Sequence, residues 1–126
     1  AGDVGGDEVL DELALIAPVD AVYGNMDPTD DPRLPREVVR DVGGIRIHVS
    51  HGHELGQPKP KQLAARYDGH VLVYGHTHRA LISRVDSRLV VNPGAAGPRR
   101  FDLLPSVARL TIDGGVAHVD IVPLDS

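Results

Sequence analysis

The 126-residue sequence predicts an α/β fold in which a mixed sheet packs face to face with a second sheet and helices lie outside. Two observations favour this fold. The first half of the chain alternates strand-like apolar runs with segments of helical periodicity, as β-α-β units do. The second half is a series of short strands separated by tight turns, as in antiparallel hairpins. A chain of this length suits one domain with its own core, which we place at residues 1–126.

The composition argues against several classes of protein. The formal net charge of -5 does not favour a general nucleic-acid-binding or membrane surface. The absence of cysteine excludes disulfides and thiolate metal ligands, and it leaves the redox compartment open. No apolar run in the sequence is long enough to span a bilayer, and no signal peptide is visible, so we expect a cytoplasmic protein.

The first helix is predicted at Asp7–Ile16, where apolar residues recur at helical spacing with acidic residues on the other face. Pro18 ends this helix. Val19–Tyr23 is predicted to be a strand, because it is a short apolar run followed by a glycine. Beyond Gly24 comes Asn25, a polar residue of a type that binds ligands, so this strand is expected to end at a site.

Three β-hairpins are predicted from pairs of strand-like runs joined by short polar or glycine-rich turns. The paired strands are Val38–Val42 with Ile45–Ser50, Ala80–Val85 with Arg88–Val91, and Ser106–Ile112 with Val116–Val122. Because these antiparallel pairs occur together with β-α-β units, the sheet that they build is expected to be mixed.

A second helix and a buried strand are predicted between the first two hairpins. Lys59–Tyr67 is predicted to be helical, since its two prolines stand only at its start, where a missing backbone N–H does no harm. Val71–Tyr74 is a short apolar run bounded by a breaker, so we predict a buried strand there. We expect Gly75 to let the chain leave this strand in a conformation that other residues resist.

Five polar residues stand just beyond strand-like runs, where α/β folds usually build their sites. They are Asp3, Asn25, His51, His76 and His78. Carboxylate, amide oxygen and imidazole are ligand types of hard-to-borderline divalent cations, and the set suits two ions about 3.5–4 Å apart better than one tetrahedral zinc. Each residue alone has a simpler explanation, as an acid before a helix, a turn residue or a surface-loop histidine. Only the joint pattern favours a metal site.

Four motifs occur along the chain in a specific order. They are Gly2-Asp3, Gly24-Asn25-x-Asp27, Ser50-His51-Gly52-His53 and Gly75-His76-Thr77-His78. In this order they resemble the calcineurin-like metallophosphoesterase superfamily, and most closely its small bacterial and archaeal phosphodiesterase branch, as does Asn92-Pro93-Gly94. The resemblance covers nearly the whole chain. It implies an α-β-β-α sandwich of two mixed sheets with a dinuclear site for divalent metal ions, often manganese, iron, zinc or nickel.

The resemblance also implies a role for each candidate residue. By this resemblance, Asp3 would be the carboxylate that bridges the two metal ions. One ion would be held by Asn25, His51 and His76, and His78 would help to hold the other. His53 resembles a residue that supports the metal ligands or faces the substrate more than a ligand itself, and it is a candidate general acid. Asp27 is expected to support the site. Arg99 and Arg100 are candidates to clamp a phosphate group, although a solvated pair explains them as well. The implied reaction is hydrolysis of a small phosphate ester, monoester or diester, by a hydroxide that bridges the two ions.

The sequence departs from the family pattern in two places. The family's opening strand, which ends in Asp-x-His, and the helix that follows it are expected to be missing, so the domain is expected to be N-terminally truncated. We therefore expect a marginal fold unless a second copy, a strand swap or a separate N-terminal segment fills the gap. Met26 stands where many relatives have a histidine that protonates the leaving group. A scaffold that binds a partner protein, as in some members of the superfamily, and an inactive truncated domain are the alternative functions.

Overall fold

The computed structural model describes residues 1–27, 32–97 and 104–124 of the chain. Within these ranges it contains two α-helices and seven strands. In chain order they are α1 (Asp7–Ile16), β1 (Glu37–Val42), β2 (Ile45–Ser50), α2 (Pro60–Arg66), β3 (Val71–Val73), β4 (Leu81–Val85), β5 (Arg88–Asn92), β6 (Ser106–Asp113) and β7 (Val116–Pro123). A short 3-10 helix, His53–Leu55, follows β2.

The larger sheet has five strands in the order β1-β2-β3-β5-β4. Strands β2, β3 and β5 run parallel to one another, whereas β1 and β4 pair antiparallel at the two edges. The carboxyl ends of the three central strands therefore meet at one edge of the sheet, where ligands usually bind in parallel sheets. His51 directly follows β2, and the segment from Tyr74 to His78 follows β3.

The second sheet is the antiparallel pair of β6 and β7, and it packs against one face of the larger sheet. Buried apolar residues from three strands of the larger sheet meet partly buried residues of the smaller sheet. The contacts join Ile45, Val71, Leu89 and Val91 to Ala108, Leu110, Ile112, Ala117 and Val119. Two sheets that pack face to face confirm the predicted architecture.

Helix α2 covers the opposite face of the larger sheet. Its Leu63 and Ala64 are buried against Leu72, Tyr74 and Val90. Strands β3 and β5 are thus covered on both faces, which explains why their sequences are nearly continuous apolar runs instead of alternating patterns. This burial holds the carboxyl ends of β3 and β5 in a rigid position.

One strand prediction was wrong. Val19–Tyr23 is extended chain without a strand assignment, although its Val22 is completely buried. A strand requires a ladder of hydrogen bonds to a neighbouring strand. Within the described residues, this segment pairs with no strand, and its Tyr23 N–H donates to the Pro35 carbonyl over 3.0 Å. Val22 is buried but Val19 is exposed, and an apolar run carries no information about a partner strand.

The other predicted elements are confirmed to within one residue at each end. Helix α2 begins at Pro60, as expected for a residue that lacks the N–H donor, and Lys59 is its N-terminal cap. The turns at Gly43-Gly44 and Asp86-Ser87 join their strands as predicted. Among the described residues, no helix has both the length and the apolar character needed to cross a membrane.

Candidate active site

Four of the five predicted metal ligands lie together at the carboxyl edge of the larger sheet. The Nε2 atom of His51 lies 3.1 Å from the Oδ1 atom of Asn25 and 3.3 Å from the Oδ2 atom of Asp3. The same Nε2 atom lies 3.3 Å from the Nδ1 atom of His76. Residues from three distant parts of the sequence therefore converge around one nitrogen atom of His51.

The protonation of His51 follows from its other ring nitrogen. The Nδ1 atom of His51 lies 2.8 Å from the carbonyl oxygen of Ala1, and a carbonyl only accepts, so Nδ1 carries a proton. Burial lowers the pKa of His51 below its ordinary value, although the Ala1 carbonyl and the Asp3 carboxylate oppose this shift. The ring is therefore neutral near pH 7, and its Nε2 atom has a lone pair instead of a proton.

The donor atoms around His51 fit a divalent cation. The lone pair of Nε2 faces oxygen atoms of Asn25 and Asp3, which also carry lone pairs, and a cation stabilises such an arrangement. Ligands held about 2.0–2.2 Å from one ion in tetrahedral or octahedral geometry are about 2.8–3.6 Å apart. The measured separations of 3.1–3.3 Å lie within this range. A histidine that donates its other ring N–H to a carbonyl is also typical of metal ligands.

The cluster is not a complete metal site as it stands. Among the described residues, no group of three or more His, Asp or Glu side chains is arranged to hold a metal ion. The three short separations all involve His51, and the nearest of them is to the amide oxygen of Asn25. The structure thus brings four of the five predicted ligands together around His51.

Asp27 connects the two loops that carry Asp3 and Asn25. Its carboxylate accepts hydrogen bonds from the backbone N–H groups of Val4 (2.8 Å), Gly5 (3.1 Å) and Gly24 (3.0 Å). Burial by itself raises the pKa of Asp27, but these three N–H groups and the nearby His51 outweigh burial and bring the pKa below its ordinary value. The carboxylate is therefore ionised at neutral pH and holds backbone in place.

Gly24 allows the loop of Asp3 to approach the loop of Asn25 closely. A Cβ atom at Gly24 would lie 2.2 Å from the Oδ1 atom of Asp3 and 2.3 Å from its backbone nitrogen. The same Oδ1 atom accepts a hydrogen bond of 2.9 Å from the backbone N–H of Met26. Any side chain at position 24 would therefore push Asp3 out of its place.

The prediction about Gly75 was wrong in its physical reason. Gly75 does not adopt a left-handed conformation; the positive φ angles instead fall on His76 (68°) and His78 (62°). Glycine is required because a Cβ atom at position 75 would lie 2.7 Å from the Ala1 carbonyl oxygen and 3.3 Å from the Nδ1 atom of His51. Left-handed conformations are uncommon for residues other than glycine, and they mark functional sites when they occur close together.

His53 lies beside the cluster, whereas no hydrogen bond or ring contact among the described residues joins His78 to it. The ring centroid of His53 is 5.2 Å from that of His51 and 6.3 Å from that of His76, and its Nδ1 atom is buried without a hydrogen-bond partner among the described residues. Arg99 and Arg100 lie outside the described residues.

Asn92, the last residue of β5, is a site residue that the sequence reasoning did not assign. The motif Asn92-Pro93-Gly94 contributed only to the family resemblance, but the side chain of Asn92 is completely buried and contacts the loop that carries His76. The available signal was a polar residue at the end of an apolar strand, which must find hydrogen-bond partners when it is buried.

Comparison with known families identifies the superfamily of the chain. The sequence model described as the calcineurin-like phosphoesterase superfamily domain matches residues 1–115. The chain belongs to this superfamily. Membership implies dependence on divalent metal ions, and the motifs that indicated the family are the ones that converge at the carboxyl edge of the sheet.

Two archaeal members of the superfamily are similar over almost the whole chain. A probable metallophosphoesterase of Methanothermobacter thermautotrophicus is 35% identical over 97% of this chain and 72% of its own length. A probable metallophosphoesterase of Methanocaldococcus jannaschii is 33% identical over 98% of this chain, which spans 64% of that relative. These similarities confirm the predicted relationship to small archaeal and bacterial enzymes and support hydrolase activity in general terms.

Two solved structures share the fold of this chain. Vacuolar protein sorting 29 (Vps29) of Entamoeba histolytica, solved in complex with Zn²⁺, is 26% identical, with a TM-score of 0.78 over 97% of this chain and 78% of that chain. An archaeal phosphodiesterase is similar in fold, with a TM-score of 0.70 and 19% identity over 96% of this chain and 79% of that chain. The predicted fold is confirmed by both.

Proposed function

We propose that the chain is the catalytic domain of a metal-dependent phosphoesterase that hydrolyses a small phosphate ester, with a phosphodiester as the first substrate to test. The observation that carries the proposal is the arrangement around His51. Its unprotonated Nε2 atom faces the oxygen atoms of Asn25 and Asp3 and the imidazole of His76 within 3.3 Å. Superfamily membership and the archaeal relatives support the same reaction class.

Asn25, His51 and His76 would hold one divalent ion, Asp3 would bridge it to a second ion, and His78 would help to hold the second. Two bound ions would supply Lewis-acid activation of a water molecule and offset the negative charge of the phosphoryl group. The chain itself orients the ligands. The Ala1 carbonyl keeps the proton of His51 on Nδ1, and the Asp27 carboxylate holds the backbone that follows Asp3 and the backbone that precedes Asn25. Manganese, iron, zinc and nickel are the candidate metals.

His53 is the residue that we assign to proton transfer at the leaving-group oxygen. Its ring lies next to those of His51 and His76, and an imidazole can both donate and accept a proton. Met26 has no ionisable group and its side chain is 79% exposed, so it does not take over this role. Arg99 and Arg100 stay candidates for binding the phosphate oxygens of the substrate.

The experiment that tests the proposal combines metal binding with turnover. The purified chain is titrated with Mn²⁺ by calorimetry, and hydrolysis of bis-p-nitrophenyl phosphate is followed with and without Mn²⁺. The same assays are run on a version that is extended by a strand ending in Asp-x-His. Hydrolysis that requires Mn²⁺ in either version supports the proposal, and a folded extended protein that binds Mn²⁺ without hydrolysing the ester contradicts it.

The same assays separate the alternative functions. Metal binding with no turnover in the shorter version, and turnover in the extended one, indicates that the 126 residues alone are an inactive truncated domain. A stable fold that binds no metal in either version favours a scaffold that binds a partner protein. A sedimentation measurement on the shorter version tests whether a second copy or a strand swap completes its sheet. The cytoplasmic location stays a prediction.

A further inference from the structure

Asn92 connects two loops at the carboxyl edge of the sheet through hydrogen bonds that use all the polar atoms of its side-chain amide. Its Nδ2 atom donates to the carbonyl oxygen of Gly75 (3.2 Å) and to the Oγ1 atom of Thr77 (2.9 Å). Its Oδ1 atom accepts from the backbone N–H of Gly94 (2.9 Å). Because both the Nδ2 donor and the Oδ1 acceptor have hydrogen-bond partners, these bonds define the orientation of the amide.

The loop that Asn92 holds contains two residues in a strained conformation. His76 and His78 both have positive φ angles, which side chains other than glycine rarely adopt without support from their surroundings. Gly75 directly precedes His76, and Thr77 directly precedes His78. The hydrogen bonds from Nδ2 of Asn92 therefore hold the residues that determine the path of the chain after β3. A further bond of 2.8 Å from the Thr77 N–H to the Gly75 carbonyl closes the turn.

The other side of Asn92 is anchored to the second sheet. Ser106, the first residue of β6, donates through its Oγ atom to the Pro93 carbonyl (2.7 Å) and through its backbone N–H to the Ala95 carbonyl (3.0 Å). Ser106 is itself buried. The turn after Asn92 is therefore held between both sheets, and the Asn92 amide transmits this support to the histidine loop.

We propose that Asn92 is a positioning residue of the site, which holds the loop from Gly75 to Thr77 so that His76 and His78 take the conformation required for metal binding. The metal-binding part of this inference rests on the proposed function. The hydrogen bonds of the Nδ2 atom of Asn92 go to Gly75 and Thr77, so Asn92 acts on His76 and His78 through the loop that carries them. A residue that only stabilises the fold would leave metal affinity of the folded protein unchanged.

The test compares four variants with the wild type. Asn92→Asp keeps the size of the side chain but replaces its N–H donors, and Thr77→Val removes the hydroxyl that Asn92 contacts. Thr77→Ser keeps this hydroxyl and is the matched rescue. Val90→Ala is the control for loss of stability, because Val90 is a completely buried residue of the same strand that packs toward helix α2. Should Asn92→Asp fail to fold, the pair of Thr77 variants still decides.

Two measurements are made on each folded variant. Calorimetry gives the affinity for Mn²⁺ at a temperature at which circular dichroism shows every variant folded. The wild type and the variants are compared in whichever version of the protein, the 126-residue or the extended one, binds Mn²⁺. Amide hydrogen exchange of Gly75–Arg79 is measured without metal and compared with exchange in β6 and β7. The second measurement reports on the loop whether or not metal binds.

We expect Asn92→Asp to weaken Mn²⁺ binding by about tenfold or more, as loss of an outer-shell partner does. Thr77→Val should weaken binding less, Thr77→Ser should restore it, and Val90→Ala should lower the melting temperature while Mn²⁺ affinity stays within about twofold of wild type. Exchange at Gly75–Arg79 should accelerate selectively in Asn92→Asp and Thr77→Val. Wild-type Mn²⁺ affinity and unchanged loop exchange in both variants would overturn the inference. If the wild type binds no Mn²⁺ at all, the proposed function fails. The role of Asn92 is then decided by whether amide hydrogen exchange in the loop accelerates selectively in Asn92→Asp and Thr77→Val.

Discussion

The Nε2 atom of His51 and the Nδ1 atom of His76 lie 3.3 Å apart, although the two residues are 25 positions apart in the sequence. They meet because β2 and β3 are parallel neighbours, so both strands end at the same edge of the sheet. The hydrogen bond from the Gly75 N–H to the His51 carbonyl, at 3.0 Å, holds the two strand ends together. The contact places two imidazoles where parallel sheets bind ligands.

Removal of one of these imidazoles tests the site directly. His76→Ala should lower hydrolysis of bis-p-nitrophenyl phosphate by at least about a hundredfold, because loss of a metal ligand disturbs both the nucleophile and the geometry. The control is His118→Ala, which changes an exposed histidine of β7 far along the sequence from the cluster. Steady-state rates with Mn²⁺ give the comparison, and near wild-type activity in His76→Ala would refute the site.

Leaving-group dependence tests His53. p-Nitrophenolate leaves without a proton, whereas an alkoxide requires one, so loss of a general acid affects the second kind of ester more strongly. We expect His53→Ala to slow hydrolysis of an alkyl phosphodiester by about a hundredfold and that of bis-p-nitrophenyl phosphate much less. Equal losses for both substrates would show that His53 acts otherwise than as a proton donor.

Asp27 should contribute strongly to stability. Asp27→Ala leaves three backbone N–H groups without their acceptor, and an unsatisfied buried donor costs about 1–3 kcal/mol. We therefore expect a loss of about 2–5 kcal/mol in the free energy of unfolding, measured by urea denaturation. Asp68→Ala, at an exposed aspartate, is the control and should change stability by less than about 0.5 kcal/mol.

The contribution of Asp27 should disappear in acid. Its pKa is lower in the folded protein than the ordinary value of 3.8, so the unfolded chain takes up a proton first as the pH falls. The stabilisation is therefore complete above about pH 5 and declines below about pH 4, through the pKa of the folded state. Unfolding free energies between pH 2.5 and 6 should fall more steeply for the wild type than for Asp27→Asn. Parallel curves would show that Asp27 does not titrate as inferred.

Gly24 should be required for the position of Asp3. Gly24→Ala places a Cβ atom 2.2 Å from the Oδ1 atom of Asp3, so Asp3 must move and Mn²⁺ affinity should fall by about tenfold. Gly97→Ala is the matched control, because a Cβ atom there meets nothing within 4 Å among the described residues. Calorimetric titration of the two variants gives the comparison. Equal affinities would show that Asp3 is not a ligand or that its loop adapts without cost.

The sequence predicted most elements because their signals are local. Strand runs such as Val71–Val73 and turns such as Gly43-Gly44 depend on residues that are neighbours in the chain, and these elements were predicted to within one residue. The prediction of a strand at Val19–Tyr23 was wrong because a strand also depends on its partner. The physical reason predicted for glycine at position 75 was wrong, because Ala1 and His51 approach Gly75 closely only in the folded structure.

The sequence by itself determined the family, the packed sheets and the ligand-type residues at the strand ends, because motifs and periodicity are properties of short segments. Only the tertiary structure decided how these residues act on one another. It placed the His51 proton on Nδ1 through Ala1, 50 positions away, and it gave Asn92 its partner Gly75, 17 positions away. Hydrogen bonds between such distant residues depend on the packing of whole strands, which no local pattern in the sequence encodes.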